Sequence, residues 1–206
     1  VDGLSAFLAR VRPPRTPALV VRRAAMLANL HQLQAACDSA GVRLRPHGKM
    51  HKCSRLGLLQ LELGAVGLCC QTVGEAEAYA AAGLPDLLVS APVPPWGWPA
   101  LARLASAGVR ISAVVDSPTQ IAAAQAAGAG DVTLLVDVDG GQHRSGVGFA
   151  EVPALVSGIL SAGFGWGGLQ CYLGHLQHDR DRATAHRAVV TRLRALADQL
   201  RASGLP

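Results

Sequence analysis

Lysine is nearly missing from this 206-residue sequence: Lys49 and Lys52 are the only two, and arginine supplies every other permanent positive charge. Aromatic residues are also scarce, and the arginines behind the formal net charge of +5 are scattered, without the interleaved aromatics of a single-strand nucleic-acid groove. No duplex-binding motif is present either, so no nucleic-acid partner is expected. No apolar run is long enough to span a bilayer. The opening Val1-Asp2-Gly3 lacks the charged and apolar regions of a signal peptide, so the expectation is a cytoplasmic protein with no membrane partner. The sequence also lacks an initiator methionine, so Val1 is not taken as a natural start. No CxxC pair occurs among Cys37, Cys53, Cys69, Cys70 and Cys171, whose odd number and apolar settings point to reduced thiols rather than a disulfide framework.

What is abundant is alanine, glycine and leucine, a composition suited to closely packed helices and strands. A short helix and a basic connector are expected over residues 1–15, a strand over 16–21, and a helix over 23–40 ended by Gly41. Strands are then expected over 42–45, 65–70, 86–91, 110–115, 131–138 and 168–173. Helices alternate with them over 54–63, 74–82, 98–107, 118–127, 152–162 and 180–202, most of them followed by a glycine. Continuous apolar strands alternating with helices predict a parallel sheet covered by helices. The regular period and short connections, and the lack of a GxGxxG loop after the first strand, favour a TIM (β/α)8-type barrel over a doubly wound dinucleotide-binding sheet. Six βα units make this α/β barrel incomplete, with residues 1–40 leading in and residues 41–206 forming the partial barrel.

In such a barrel reactive groups sit where strands end. Both lysines lie in one stretch, Arg43-Leu44-Arg45-Pro46-His47-Gly48-Lys49-Met50-His51-Lys52-Cys53. Arginine stays protonated, whereas a lysine in a partly desolvated pocket can lose its proton and attack an aldehyde cofactor or carbonyl substrate. The alternative is a basic solvated loop. Gln71 and Thr72 follow the next strand, Asp116 and Ser117 the fourth, His143 and Arg144 the fifth, and Tyr172, His175 and His178 the sixth. His175, His178, His51 and Cys53 match no closed zinc spacing, so no metal ligands are assigned. Cys69-Cys70 reads as buried strand, Asp116-Ser117-Pro118 as a helix N-cap, and Glu75 and Glu77 as first-turn acids. Trp96 and Trp98 could line a pocket or pack on the rim.

The stretch Pro46-His47-Gly48-Lys49-Met50-His51-Lys52 resembles the lysine motif of the D-threonine aldolase and D-serine dehydratase group, within the alanine racemase-type (fold type III) pyridoxal phosphate enzymes. Segments 16–20, 66–77, 114–117 and 168–172, with Gln177-His178, agree in order and spacing. The resemblance implies an alanine racemase N-terminal-domain-like barrel and a lyase for D-β-hydroxy-amino acids. It implies Lys49 as the Schiff-base and catalytic lysine, Arg144 facing the pyridine nitrogen, Tyr172 on the cofactor, and His51 and Gln71 lining the pocket, with His51 a second catalytic candidate. It also implies a homodimer, together with a glycine-rich phosphate loop after a seventh strand and a divalent metal (Zn or Mn) whose ligands lie in a C-terminal β-domain; neither that loop nor those ligands are in this sequence. Met50 departs from the group's usual threonine, Arg15 from a frequent aspartate and His143 from a small residue. Aldolase and dehydratase chemistry are not separated, and a non-catalytic cofactor-binding protein or an inactive fragment stay open as alternatives.

Overall fold

The computed structural model describes residues 19–205, together with Ala6 and Pro17. The expected helix over 1–15 falls outside the described residues apart from Ala6. The chain divides into two units, Val1–Val42 and Arg43–Pro206. In the first, α1 (Arg23–Ser39) forms where expected and ends at Gly41, whose φ of +64° closes the helix as glycine allows. The expected strand over 16–21 is not found in its described part: Leu19, Val20 and Val21 have no strand pairing.

The second unit alternates helix and strand. Its elements are α2 (Ser54–Glu62), β1 (Leu68–Cys70), α3 (Val73–Ala81), β2 (Asp86–Val89), α4 (Trp98–Ser106), β3 (Arg110–Val115), α5 (Pro118–Ala126), β4 (Thr133–Asp137), α6 (Val152–Ser161), β5 (Trp166–Gln170) and α7 (Arg182–Ala202). The five strands form one sheet in the order β1-β2-β3-β4-β5, every pair parallel. Parallel neighbours that follow each other in sequence need a crossover each time, and the helices supply it. This is the strand order of a (β/α) barrel, carried by five strands. The segment expected as the first barrel strand, 42–45, forms no ladder. Leu44 O accepts the Val66 N–H (2.9 Å) just before β1, and the two residues that follow the segment meet β1 itself through Cys69 N–H to Pro46 O (2.7 Å) and an isolated bridge between His47 and Cys69. Pro46 has no N–H to give, which interrupts a regular ladder there.

Strand alternation divides the sheet's two faces. Side-by-side residues Cys70, Val89, Ala113 and Leu134 are all at most 1% exposed and belong to the core packed against the helices. Trp98 and Leu101 of α4 and Ile159 of α6 join the same core, each large aliphatic side chain worth about 1.5–3 kcal/mol on burial. The other face carries Cys69, Leu88, Ser112 and Thr133 side by side. Continuing that alternation to the strand ends brings Gln71, Ser90, Asp116, Asp137 and Gln170 to the same side, away from the helices. That is where the chemistry collects.

At the opposite end of the strands, Asp86 takes Arg45 Nη1 on Oδ1 (2.7 Å) and Arg110 Nε on Oδ2 (3.1 Å). Gly67 leaves the space that the Arg45 guanidinium fills. Asp86→Ala is expected to cost about 1–2 kcal/mol, because it strands a largely covered guanidinium. A lowered urea midpoint checks this, and the exposed Arg110→Ala should move it less.

Candidate functional site

Lys49 stands on a single 3-10 turn, Gly48–Met50, fastened on both sides. His47 Nδ1 accepts the Lys49 backbone N–H (3.3 Å), and the buried Tyr79 hydroxyl donates to Gly48 O (2.9 Å). A Cβ on Gly48 would meet the Tyr79 ring at 2.6–2.8 Å, so only glycine fits. The Lys49 Nζ donates to Gln71 Oε1 at 2.9 Å. Gln71 is itself held: its N–H donates to Glu75 Oε2 (2.7 Å), and Thr72 caps α3 by accepting the Glu75 N–H (3.2 Å). Burial opposes ionisation of Glu75, but the Gln71 N–H and the Lys52 ammonium outweigh it and hold the carboxyl below its ordinary value.

His47 turns its other nitrogen to Ser90 Oγ (3.1 Å), and Ser90 Oγ donates to Cys70 O (3.2 Å). With Nδ1 accepting, neutral His47 carries its proton on Nε2. Burial, and next the Lys49 charge, push the His47 pKa down and keep the ring neutral. Burial likewise raises the thiols of Cys69 and Cys70, the latter to about 12, which makes the pair inert rather than redox-active.

Arg144 arrives on the loop after β4. Val147 N–H bonds Asp137 O and Asp139 N–H bonds Val147 O, both at 2.9 Å, closing the loop at its base. His143 adopts φ +55° and is pinned by Asp139, which accepts its N–H (3.0 Å) and pairs with its Nδ1 (2.6 Å). The N–H groups of His143 and Gly141 hold the Asp139 carboxyl down at about 2. Tyr172, after β5, lies between the two cations: Lys49 Nζ and the Arg144 guanidinium carbon are each 5.9 Å from its ring centroid. Gly174 leaves room for its hydroxyl.

These residues enclose a cavity of about 200 Å³ lined by His47, Lys49, Gln71, Asp137, Arg144 and Tyr172 among others. Two larger hollows beside α7, about 500 and 540 Å³, contain neither a lysine nor a carboxylate. The smaller cavity is the one with an amine, a guanidinium and an aromatic face directed at one volume.

Of the residues singled out from sequence, Lys49, Gln71, Arg144 and Tyr172 come together here. His51 does not line the cavity; its ring faces Gln60 Oε1 (3.2 Å) and accepts the Cys53 N–H (3.1 Å), at the start of α2. His175 and His178 are exposed, and among the described residues no group of three His, Cys, Asp or Glu could hold a metal ion. Ser117 occupies the N-cap position of α5, but its side chain makes no capping bond. Gln120 Oε1 accepts the Asp116 N–H instead (2.7 Å), and the Asp116 carboxylate accepts Gly146 N–H (3.1 Å). Trp98 is core, whereas Trp96 is 75% exposed. Sequence reasoning missed Ser90; period-two alternation from Leu88 was the signal that could have found it.

Comparison with known proteins gives a consistent result. A D-threonine aldolase from Arthrobacter sp is 39% identical over 201 residues, 92% of this chain and 52% of that protein. The D-threo-3-hydroxyaspartate dehydratase of Delftia sp. (strain HT23) is 35% identical over 206 residues, 93% of this chain and 53% of its own length. The crystal structure of D-threonine aldolase from Filomicrobium marinum superposes with a TM-score of 0.83 at 36% identity, covering 93% of this chain and 54% of that one. The chain spans about half the length of the curated relatives it matches. Residues 21–206 match the alanine racemase N-terminal domain, and the sequential parallel sheet with its lysine-bearing cavity agrees, so the chain belongs to that family.

Proposed function

We propose that this chain carries the cofactor-binding part of a pyridoxal-phosphate-dependent lyase acting on D-β-hydroxy-amino acids, with Lys49 as the residue bonded to the cofactor. The observation that carries the reading is the Lys49 amine, one of two in the chain, aimed into a cavity that also holds Arg144 and Tyr172. The donor set fits the group: an amine for its aldehyde, an aromatic ring for its face, and cations for its negative charge. Lys49, Gln71, Arg144 and Tyr172 would hold it. Once bound, the cofactor supplies a sink for the electron pair released when a bond to Cα breaks.

The chain's own residues do the rest. Gln71 fixes the direction of the Lys49 amine through its Oε1. Arg144 offers donors only and keeps its own proton, so it would hydrogen-bond a ring nitrogen of the cofactor without protonating it. Tyr172 covers the space between the two cations. His47 keeps the lysine turn in place as a neutral ring, and His51 secures the following helix by holding Gln60 and the Cys53 N–H. The described residues do not fit a zinc or manganese site. The substrate class rests on the likeness to the aldolase and dehydratase relatives.

The test supplies pyridoxal phosphate to the protein and then D-threonine and D-threo-3-hydroxyaspartate. Release of an aldehyde with glycine supports the aldolase form, and release of ammonia with an oxo acid the dehydratase form. No cofactor bonded to Lys49 contradicts the cofactor-binding reading, and bonded cofactor without turnover of either substrate by the whole enzyme contradicts the lyase reading.

A further inference from the structure

Three aspartates converge on the loop that bears Arg144, yet among the described residues none of them pairs with its guanidinium. Asp139 grips the loop at Gly141 and His143, Asp116 at the Gly146 N–H, and Asp137 at the Ser145 hydroxyl (2.8 Å). Of the three, Asp137 is the buried one, 3% exposed. Its second oxygen accepts Gln170 Nε2 (3.2 Å), and the same amide donates to Ser90 O (3.3 Å). Ser90 in turn contacts His47, beside the lysine turn. A buried carboxylate costs free energy unless its oxygens are satisfied, and here each oxygen has one partner, Ser145 on the loop and Gln170 at the end of β5.

Gly146 shows how closely the loop is seated. It has φ +98°, and a Cβ there would come within 2.7 Å of Asp139 N and 2.9 Å of Val138 C. His143, Ser145, Gly146 and Val147 are each tied down, while among the described residues the Arg144 guanidinium has no hydrogen-bond or ion-pair partner and lies 5.9 Å from the Tyr172 ring centroid. The carboxylates hold the frame and leave the guanidinium free for a ligand.

The geometry points to Asp137 as a positioning residue. Through Ser145 it sets the Arg144 guanidinium over the cavity, and through Gln170 and Ser90 it ties the Arg144 loop to the Lys49 turn. This rests on the proposed cofactor site. The network acts by aim rather than by contact: Asp137 fixes where Arg144 points, and preorganisation of that kind shows as affinity.

The experiment compares the parent protein with Ser145→Ala, Asp137→Ala and Asp137→Asn. Three quantities are measured: the dissociation constant for pyridoxal phosphate, the rate at which phenylglyoxal modifies Arg144 without cofactor, and borohydride fixation at Lys49. Ser145→Ala and Asp137→Ala are expected to weaken binding about two- to ten-fold and to change Arg144 reactivity, with Lys49 still fixed. Asp137→Asn should restore parent behaviour, since its amide can donate to Ser145 Oγ while its carbonyl accepts from Gln170. A merely structural role predicts no such rescue. Should Asp137→Ala not fold, Ser145→Ala decides, because it removes one hydrogen bond and leaves Asp137 in place. Unchanged affinity and unchanged Arg144 reactivity in Ser145→Ala overturn the inference. If the parent itself fixes no cofactor at Lys49, the cofactor reading fails instead, and Arg144 reactivity alone still decides the positioning role.

Discussion

Lys49→Ala is expected to abolish covalent cofactor capture and to lower any lyase activity by roughly 10³-fold or more, the scale of losing a covalent nucleophile. The amine is 2.9 Å from Gln71 Oε1 and faces Tyr172 across the cavity, and no other lysine shares that volume. Lys49→Arg should fail equally, although it keeps the charge, because a guanidinium does not add to an aldehyde. Lys52→Ala should retain capture. Lys52 is 71% exposed and pairs with Glu75 at 3.4 Å, an exposed ion pair worth about 0–1 kcal/mol at most. A spectrum of each variant with pyridoxal phosphate, before and after borohydride, separates these cases. Capture surviving in Lys49→Arg would contradict the assignment.

Gly48→Ala is expected to be the most damaging change that leaves every functional group present. Its new methyl would lie 2.6 Å from the Tyr79 hydroxyl and 2.7 Å from Cε2. Tyr79 is only 4% exposed, sits in the core of α3 and holds Gly48 O, so the lysine turn must shift instead. Overpacking of this kind costs about 1–3 kcal/mol, which lowers the melting temperature by about 2–10 °C. The larger effect is on chemistry, since displacing a reacting amine by about 1 Å can lose on the order of 10²-fold in rate. Tyr79→Phe should not rescue it, because the ring carbons that clash remain. Melting curves and the rate of Lys49 capture check both halves, and a parent-like capture rate in Gly48→Ala would rule out the tight seating.

Helices were the most legible part of the sequence. The glycines after them, Gly83 and Gly108 among them, take positive φ as helix stops should, and the predicted helical spans differ from the observed ones by a residue or two. Strands were legible where apolar runs were continuous: Arg110–Val115 forms over the expected residues. Residues 42–45 were not, because apolar alternation says nothing of Pro46, whose missing N–H prevents a ladder. The two lysines marked the site through composition alone. Gln71, Arg144 and Tyr172 followed from their places at strand ends and from the family resemblance. The hydrogen-bond partners were hidden. Ser90 and Asp137 gain their roles from alternation onto the cavity face and from neighbours 33 to 80 residues away, separations that local patterns do not encode. Asp116-Ser117-Pro118 does open its helix, with Ser117 at the N-cap, but no local pattern announced that the Asp116 carboxylate would accept the distant Gly146 N–H.

With only two lysines in the chain, the proposed bond between Lys49 and the cofactor is directly testable. The protein is incubated with pyridoxal phosphate, reduced with borohydride, digested and mapped by mass. A pyridoxyl group on the peptide bearing Lys49, with Lys52 and the amino terminus unlabelled, is the predicted result. Label on Lys52 or on the amino terminus, or no label on a folded protein, contradicts it.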